Sequence, residues 1–350
     1  MKKIELFSYT TLFYFLIRGC FLGISCNNLM FTSRSSCYFS VLFGLIIGFI
    51  PLFIFYKVID EYPDKNIYEI LEFKFGSLGK FMSYLLAIFV FLFACIIFWN
   101  LINFISSQFL HRTPNVAIGL VILLAINHAL LKGINVISRV SVILFFINVF
   151  FYSTCFFGLT VQIKPIMFLP LFNESLFNIT TGTLSFIGFN ILPIFILSVI
   201  PKNMINDNKF MIKNSIIIYI VSTLTLFFVV FLLMGIYGIE FTQLLQYTEY
   251  HLLKRFSIMG TIDRTENIFA TQWLIDIYMF LVLSLYFVGE KIKIKNNFKY
   301  SFLCFIMLIV STMYFSSSTV IYNFLLHIFP YFIYLFLLGI PLLIVYKKEY

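Results

Sequence analysis

Apolar segments of about twenty residues, separated by short polar links, recur from one end of this chain to the other, and that spacing admits few folds. A helix rises ~1.5 Å per residue, so ~20 apolar residues cross the ~30 Å hydrocarbon core of a bilayer. Ten such intervals can be drawn, at residues 7 to 31, 36 to 57, 80 to 109, 114 to 132, 140 to 162, 182 to 200, 213 to 237, 265 to 289, 299 to 316 and 319 to 346. Backbone amides and carbonyls need partners inside lipid, which a helix supplies from within itself. The expected fold is therefore an all-α membrane protein of ten transmembrane helices, one integral membrane domain over 1 to 350. Composition agrees: 61% of residues are hydrophobic and only 11% charged, outside the range of a soluble domain.

The net charge of +9 would suit nucleic acid, but the basic residues are scattered over many links rather than striped on one face with aromatics, so no nucleic acid partner is expected. Their placement reports orientation instead. With the N-terminus in the cytoplasm, the inner side collects Lys2 and Lys3; Lys57, Lys65, Lys74 and Lys80; Lys132 and Arg139; Lys202, Lys209 and Lys213; Lys291, Lys293, Lys295 and Lys299; and Lys347 and Lys348. The outer links hold only Arg34, Arg112, Lys164, Lys254, Arg255 and Arg264. Both termini then lie inside. Lys2 and Lys3 followed by apolar residues up to Cys20 imitate a secretion signal, yet Arg18 interrupts the apolar run and apolar character resumes beyond Cys20, so the segment reads as a membrane helix. The cysteines, at 20, 26, 37, 95, 155 and 304, lie in or beside apolar segments without ligand-like spacing and read as buried thiols.

Ten crossings divide into two sets of five, and an odd number per set inverts the second set relative to the first. The first repeat covers about 7 to 162 and the second about 182 to 346, a 5+5 inverted repeat. In such an architecture the first helix of each set is broken near the midplane, so that free backbone groups face a small ligand. Span one supplies Gly19 and Gly23; span six, TGTLSFIGFNILPIF, supplies Phe186, Gly188, Asn190 and Pro193. Proline removes a backbone donor and crowds the preceding turn.

Two ionisable side chains fall deep in apolar spans. Asp276 lies about ten residues into span eight and Arg18 about eleven into span one, which at ~1.5 Å per residue places both near the middle of the core. An ionised carboxylate there persists only when paired, protonated or facing water. Trp99, Asn100 and Asn103 late in span three and Trp273 in span eight are candidates for the outer part of a pocket, and Arg264 with Glu266 for an outer gate. The outer link from 238 to 264 contains FTQLLQYTEYHLLKRF, expected as a partly buried helix over the outer mouth, while residues 58 to 79 carry a turn at Tyr62-Pro63-Asp64 and a short amphipathic stretch expected along the membrane surface.

An enzyme is not expected: there is no metal-ligand cluster, no Gly-rich phosphate loop and no His-Glu motif, and no cofactor is implied. A membrane polysaccharide polymerase or flippase shares the hydrophobicity, but such proteins hold their pyrophosphate-linked sugars with several outer arginines, and Arg112, Arg255 and Arg264 are a thin supply.

Three stretches carry a resemblance. KVIDEYPDKNIYEI resembles the Tyr-Pro-x-Lys-Asn-x-x-Glu segment of the spore germination permeases, the B subunits of germinant receptors, within the amino acid-polyamine-organocation superfamily. FLHRTPNVAIGL with KGINVISRV resembles that family's Thr-Pro opening of helix four and its Gly-to-Arg turn into helix five, through Thr113, Pro114, Gly133 and Arg139. DRTENIFATQWLID resembles the start of its helix eight, through Arg264, Glu266, Phe269 and Trp273. The match runs the whole length. It implies a protein of the spore inner membrane that senses a small-molecule germinant, commonly an amino acid, together with a channel-forming A subunit and a lipoprotein C subunit; an amino-acid transporter of the same fold is the alternative. Arg18 departs from the small neutral residues usual in that helix. Because helices one and eight are neighbours in the implied fold, an Arg18 to Asp276 ion pair is expected beside the ligand, where related transporters hold a coupling sodium.

Overall fold

The computed structural model describes residues 3–169, 174–255, 266–292, 296–315 and 318–347. They are almost wholly helical. α1 spans Leu6–Arg18, and after an interruption the same rod resumes as α2, Cys26–Ser33. Arg34 takes a positive φ of 49° and turns the chain into α3, Cys37–Ile47, and α4, Phe49–Glu61. α5 runs from Ile67 to Gln108, interrupted at Gly76, whose φ of 58° and ψ of −125° lie outside the helical region. A reciprocal cap fixes its start: Asn66 Oδ1 accepts from the Glu69 amide at 3.0 Å, and the Asn66 amide donates to Glu69 Oε2 at 2.9 Å. Next come α6, Asn115–Lys132, and α7, Ile134–Thr160. α8, Leu176–Phe186, passes into a π turn at Ile187–Ile191 and a 3₁₀ segment at Leu192–Val199. α9 is Met211–Leu244, α10 is Thr248–Leu253 and α11 is Glu266–Lys291. The chain closes with α12, Asn296–Ile309, α13, Ser318–His327, α14, Phe329–Ile333, and α15, Ile340–Tyr346.

Eight described helical stretches are long and apolar enough to cross a membrane, and Phe298–Tyr314 is a shorter apolar helix. The first stretch, Leu6–Glu61, is 56 residues long, far beyond one crossing, and its turn at Arg34 separates the intervals expected at 7 to 31 and 36 to 57. All six cysteines are buried and free.

Burial sorts the helices into a centre and a ring. In α1 every residue from Ser8 to Arg18 is buried, and the apolar window of Leu176–Val199 is 94% buried against 28% for α6 and for α7. A helix apolar all round belongs in a core, which is why these two rods, broken in sequence pattern, occupy the middle. α1 packs on α7, α9 and α11; α2 and α3 pack on α8; α5 packs on α11. The front of α5, expected on the membrane surface, is instead docked into the protein. Its Tyr68 hydroxyl donates to the Phe287 carbonyl at 3.0 Å, and Lys291 pairs with Glu72 at 2.5 Å, so Ile67, Tyr68, Ile70 and Leu71 are buried against α11 and its surroundings.

One short contact ties the two central rods at a single end. The Ile4 amide donates to the Met204 carbonyl at 2.8 Å, and the Asn206 amide donates to the Ile4 carbonyl at 2.9 Å, an isolated parallel bridge between Ile4 and Ile205.

Candidate functional site

The first helix opens at Leu22 and Gly23. Leu22 has ψ 118° and Gly23 has φ 67°, so the helical ladder is interrupted between α1 and α2 inside a fully buried segment. Glycine is needed at position 23 for two reasons: its φ lies in the region L side chains rarely adopt, and a Cβ there would stand 2.6 Å from the Tyr247 ring. The sixth rod behaves differently. It changes pitch from α to π to 3₁₀ around Gly188, Asn190 and Pro193 without leaving the helical region.

Backbone groups freed by the break must be satisfied where no water reaches them. Side chains from three other elements do this. Asn100 of α5 donates through Nδ2 to the Leu22 carbonyl at 2.8 Å. Asn190 donates through Nδ2 to the Ile17 carbonyl at 2.8 Å, and its Oδ1 accepts a short hydrogen bond from the Ser25 hydroxyl. The Gly23 amide donates to Glu249 Oε1 at 3.1 Å. Glu249, on α10, is fully buried and makes no ion pair with any described residue. The Cys26 thiol and the Thr248 hydroxyl lie beside it, and burial pushes its carboxyl up to about 7.

One turn before the break, Arg18 and Asp276 meet. Arg18 Nε is 3.1 Å from Asp276 Oδ2, with both side chains out of solvent. Asp276 Oδ1 accepts from Asn148 Nδ2 at 3.0 Å, and Asn148 Oδ1 in turn accepts from the Tyr14 hydroxyl at 2.7 Å. Tyr152 places its ring 3.8 Å from Arg18 Cζ, and Arg18 Nη1 donates to the Thr225 hydroxyl. A buried pair costs several kcal/mol per ion in lost hydration, so further hydrogen bonds and ring contacts of this kind decide whether it holds. Four elements, α1, α7, α9 and α11, contribute to this one network.

The remaining residues expected at a ligand site are spread around the centre. Gly19 lies against Phe280 of α11, so that a Cβ at 19 would collide with that side chain. Phe186 packs on Gly44 of α3, and Gly188 faces the Tyr334 ring. Trp273 stacks on Phe21 with ring centroids 5.8 Å apart. Trp99 lies edge-on to Phe315 at 6.3 Å, and it is its neighbour Asn100 that reaches the break. Glu266 opens α11, whereas Arg264 lies outside the described residues.

Sequence reasoning passed over Asn148 and Glu249. Each had a legible signal. Asn148 is an amide in the middle of the apolar run SVILFFINVFF, and Glu249 is an acid inside a segment otherwise suited to burial.

An all-α membrane protein whose first helix is interrupted within a buried stretch, its freed backbone groups held by side chains from distant helices, is a permease-like chain. It belongs to the spore germination protein family, whose pattern it matches over residues 9–344. It is similar to spore germination protein YfkT of Bacillus subtilis (strain 168), with 24% identity over 260 residues, covering 73% of this chain and 70% of that protein.

Proposed function

We propose that this chain is the nutrient-sensing membrane subunit of a spore germinant receptor, lying in the spore inner membrane with both termini in the cytoplasm. It binds a small germinant, an amino acid in this reading, near the bilayer midplane beside the interrupted first helix, and passes the event to A and C partner subunits as a change in the population of two conformers. A 5+5 inverted repeat, 7 to 162 and 182 to 346, contributes one central rod from each half, and the pair moves against the other helices. Gly19, Gly23 and Asn190, with Phe186, Gly188, Trp99 and Trp273 around them, form the central region that a ligand remodels, and Glu266 at the start of α11 belongs to its outer gate.

The observation that carries this reading is the set of side-chain contacts on the break. Asn100, Asn190 and Glu249 each hold a backbone group of the first helix from a different element. Contacts of that kind can be exchanged for contacts to a ligand, and a ligand shifts an equilibrium only through such differential interactions. The Arg18 guanidinium fills the place where a related transporter would hold sodium, so sodium does not couple to ligand.

Spores carrying an in-frame deletion of this chain, complemented with wild type or with Asn190→Leu, test the reading against a panel of amino acids. Loss of the response to particular amino acids on deletion, and its failure to return with Asn190→Leu at normal protein level, is the expected result. Concentrative uptake of labelled amino acid by proteoliposomes containing this chain alone would overturn it in favour of a transporter.

A further inference from the structure

Between α7, α9, α10 and α11 lies a cavity of about 230 Å³. Its walls are apolar, including Val149, Phe156, Phe228, Val229, Leu232 and Leu252, and its rim includes Phe157, which is 72% exposed. Its polar lining includes Glu249, Gln272 and Trp273 as well as Ser153 and Thr225. Among the described residues, Gln272 Oε1 and Trp273 Nε1 are buried without any hydrogen-bond partner. Buried polar atoms are nearly always paired, so two orphans of opposite sense on one cavity wall, beside a carboxyl group without a cation, describe the complement of a missing molecule.

We propose that this cavity is a binding site for a small primary ammonium compound with an apolar body, its ammonium held by Glu249 and the Gln272 amide oxygen while the Trp273 indole N–H donates to an acceptor on the ligand. This deepens the nutrient-binding reading and rests on it for biological meaning, though the site stands on its own geometry. The charge balance favours a cation. Arg18, whose guanidinium lies against the cavity residues Tyr152 and Thr225, is matched by Asp276, so Glu249 is the carboxyl left over. The titratable and charged groups around it and its cavity are the Cys26 thiol from α2, Tyr152 and Cys155 from α7, His251 on α10 with Lys254 just past its end, and the Arg18–Asp276 pair from α1 and α11. Lys254 is turned over the Tyr250 ring, its Nζ 4.7 Å from the centroid. An arriving ammonium ion would hold the Glu249 carboxyl ionised, which its apolar surroundings alone do not. Because Glu249 also accepts from the Gly23 amide, filling the cavity bears directly on the interrupted helix.

The full-length chain in detergent is titrated with isopentylamine, isopentanol, isocaproate and leucine, and binding is read from the quenching of its two tryptophans, Trp99 and Trp273. Saturable quenching by the amine, tighter than by the isosteric alcohol and absent with the acid, is expected; leucine binding shows that the Trp273 side accepts a carboxylate. Glu249→Gln should weaken the amine by roughly 10- to 100-fold and leave the alcohol unchanged. Val229→Phe, which fills the cavity from another element, should abolish both. Equal affinity for amine and alcohol, or an amine response unaffected by both variants, would overturn the proposal. If the amine binds as expected while deletion of the chain leaves spore germination intact, the site survives and the sensory reading fails.

Discussion

Arg18 Nε and Asp276 Oδ2 are 3.1 Å apart although 258 positions separate them in sequence. Neither charge could be buried in an apolar helix by itself, so the contact fixes how α1 and α11 lie against each other. Removing one partner leaves the other uncompensated, at a cost of about 3–5 kcal/mol. Asp276→Asn and Arg18→Gln are each expected to lower the thermal unfolding temperature in detergent strongly. The double variant should lose much less than the sum of the two. Additive losses in that double-mutant cycle would show that the pair is not coupled.

Sodium gives a second check on the same pair. With the guanidinium in place, exchanging sodium for choline at constant ionic strength should change neither unfolding temperature nor ligand affinity. In Arg18→Ala a sodium-specific rise in unfolding temperature is the expected gain, read from the same melts, since the vacated space borders the Asp276 carboxylate and the Thr225 hydroxyl.

At the break, Asn100→Leu leaves the Leu22 carbonyl without its partner, and Asn190→Leu does the same to Ile17. Each should cost about 1–3 kcal/mol of stability, the penalty of an unsatisfied buried polar group. Gly23→Ala should cost at least as much by another route, a strained φ together with a clash on Tyr247. Denaturant or thermal unfolding in detergent ranks all three; a Gly23→Ala protein as stable as wild type would mean that the backbone at 23 is not held in this conformation.

Glu249 makes stability depend on pH in a direction opposite to an ordinary surface carboxylate. Its carboxyl sits at about 7 in the folded chain against an ordinary 4.5, so between those values the native protein keeps a proton that the unfolded chain has released. Its contribution is therefore intact below about 4.5 and lost as pH climbs through about 7, by up to ~1.4 kcal/mol per pH unit within that window. The difference in unfolding temperature between wild type and Glu249→Gln should shift against wild type between about pH 5 and pH 8. A pH-independent difference would mean that Glu249 titrates normally.

Apolar periodicity was enough to find nearly every helix, because burial in lipid demands the same twenty residues whatever the neighbours are. The span expected from 80 matches the part of α5 beyond Gly76, where φ 58° interrupts the helix. The part before it starts at the Asn66 and Glu69 cap, and its docking into the protein is set by packing that hydrophobicity alone does not express. The depth of Arg18 and Asp276 could be counted along each helix. Their company could not: Asn148, Tyr14, Tyr152 and Thr225 are ordinary residues of apolar runs, and only the packing of α7 and α9 on α1 brings them to the pair. Glu249 lies in an outer link expected as a partly buried helix, but which groups its carboxyl meets depends on how the fold tucks α10 against α2.

The bridge between Ile4 and Ile205 joins the start of the first rod to the stretch that follows the sixth. Stitched together there, and linked again where Asn190 grips Ile17 and Ser25, the two rods have little freedom to slide past one another. Any stroke this protein makes must then carry both as a single lever, swinging against the surrounding ring of helices.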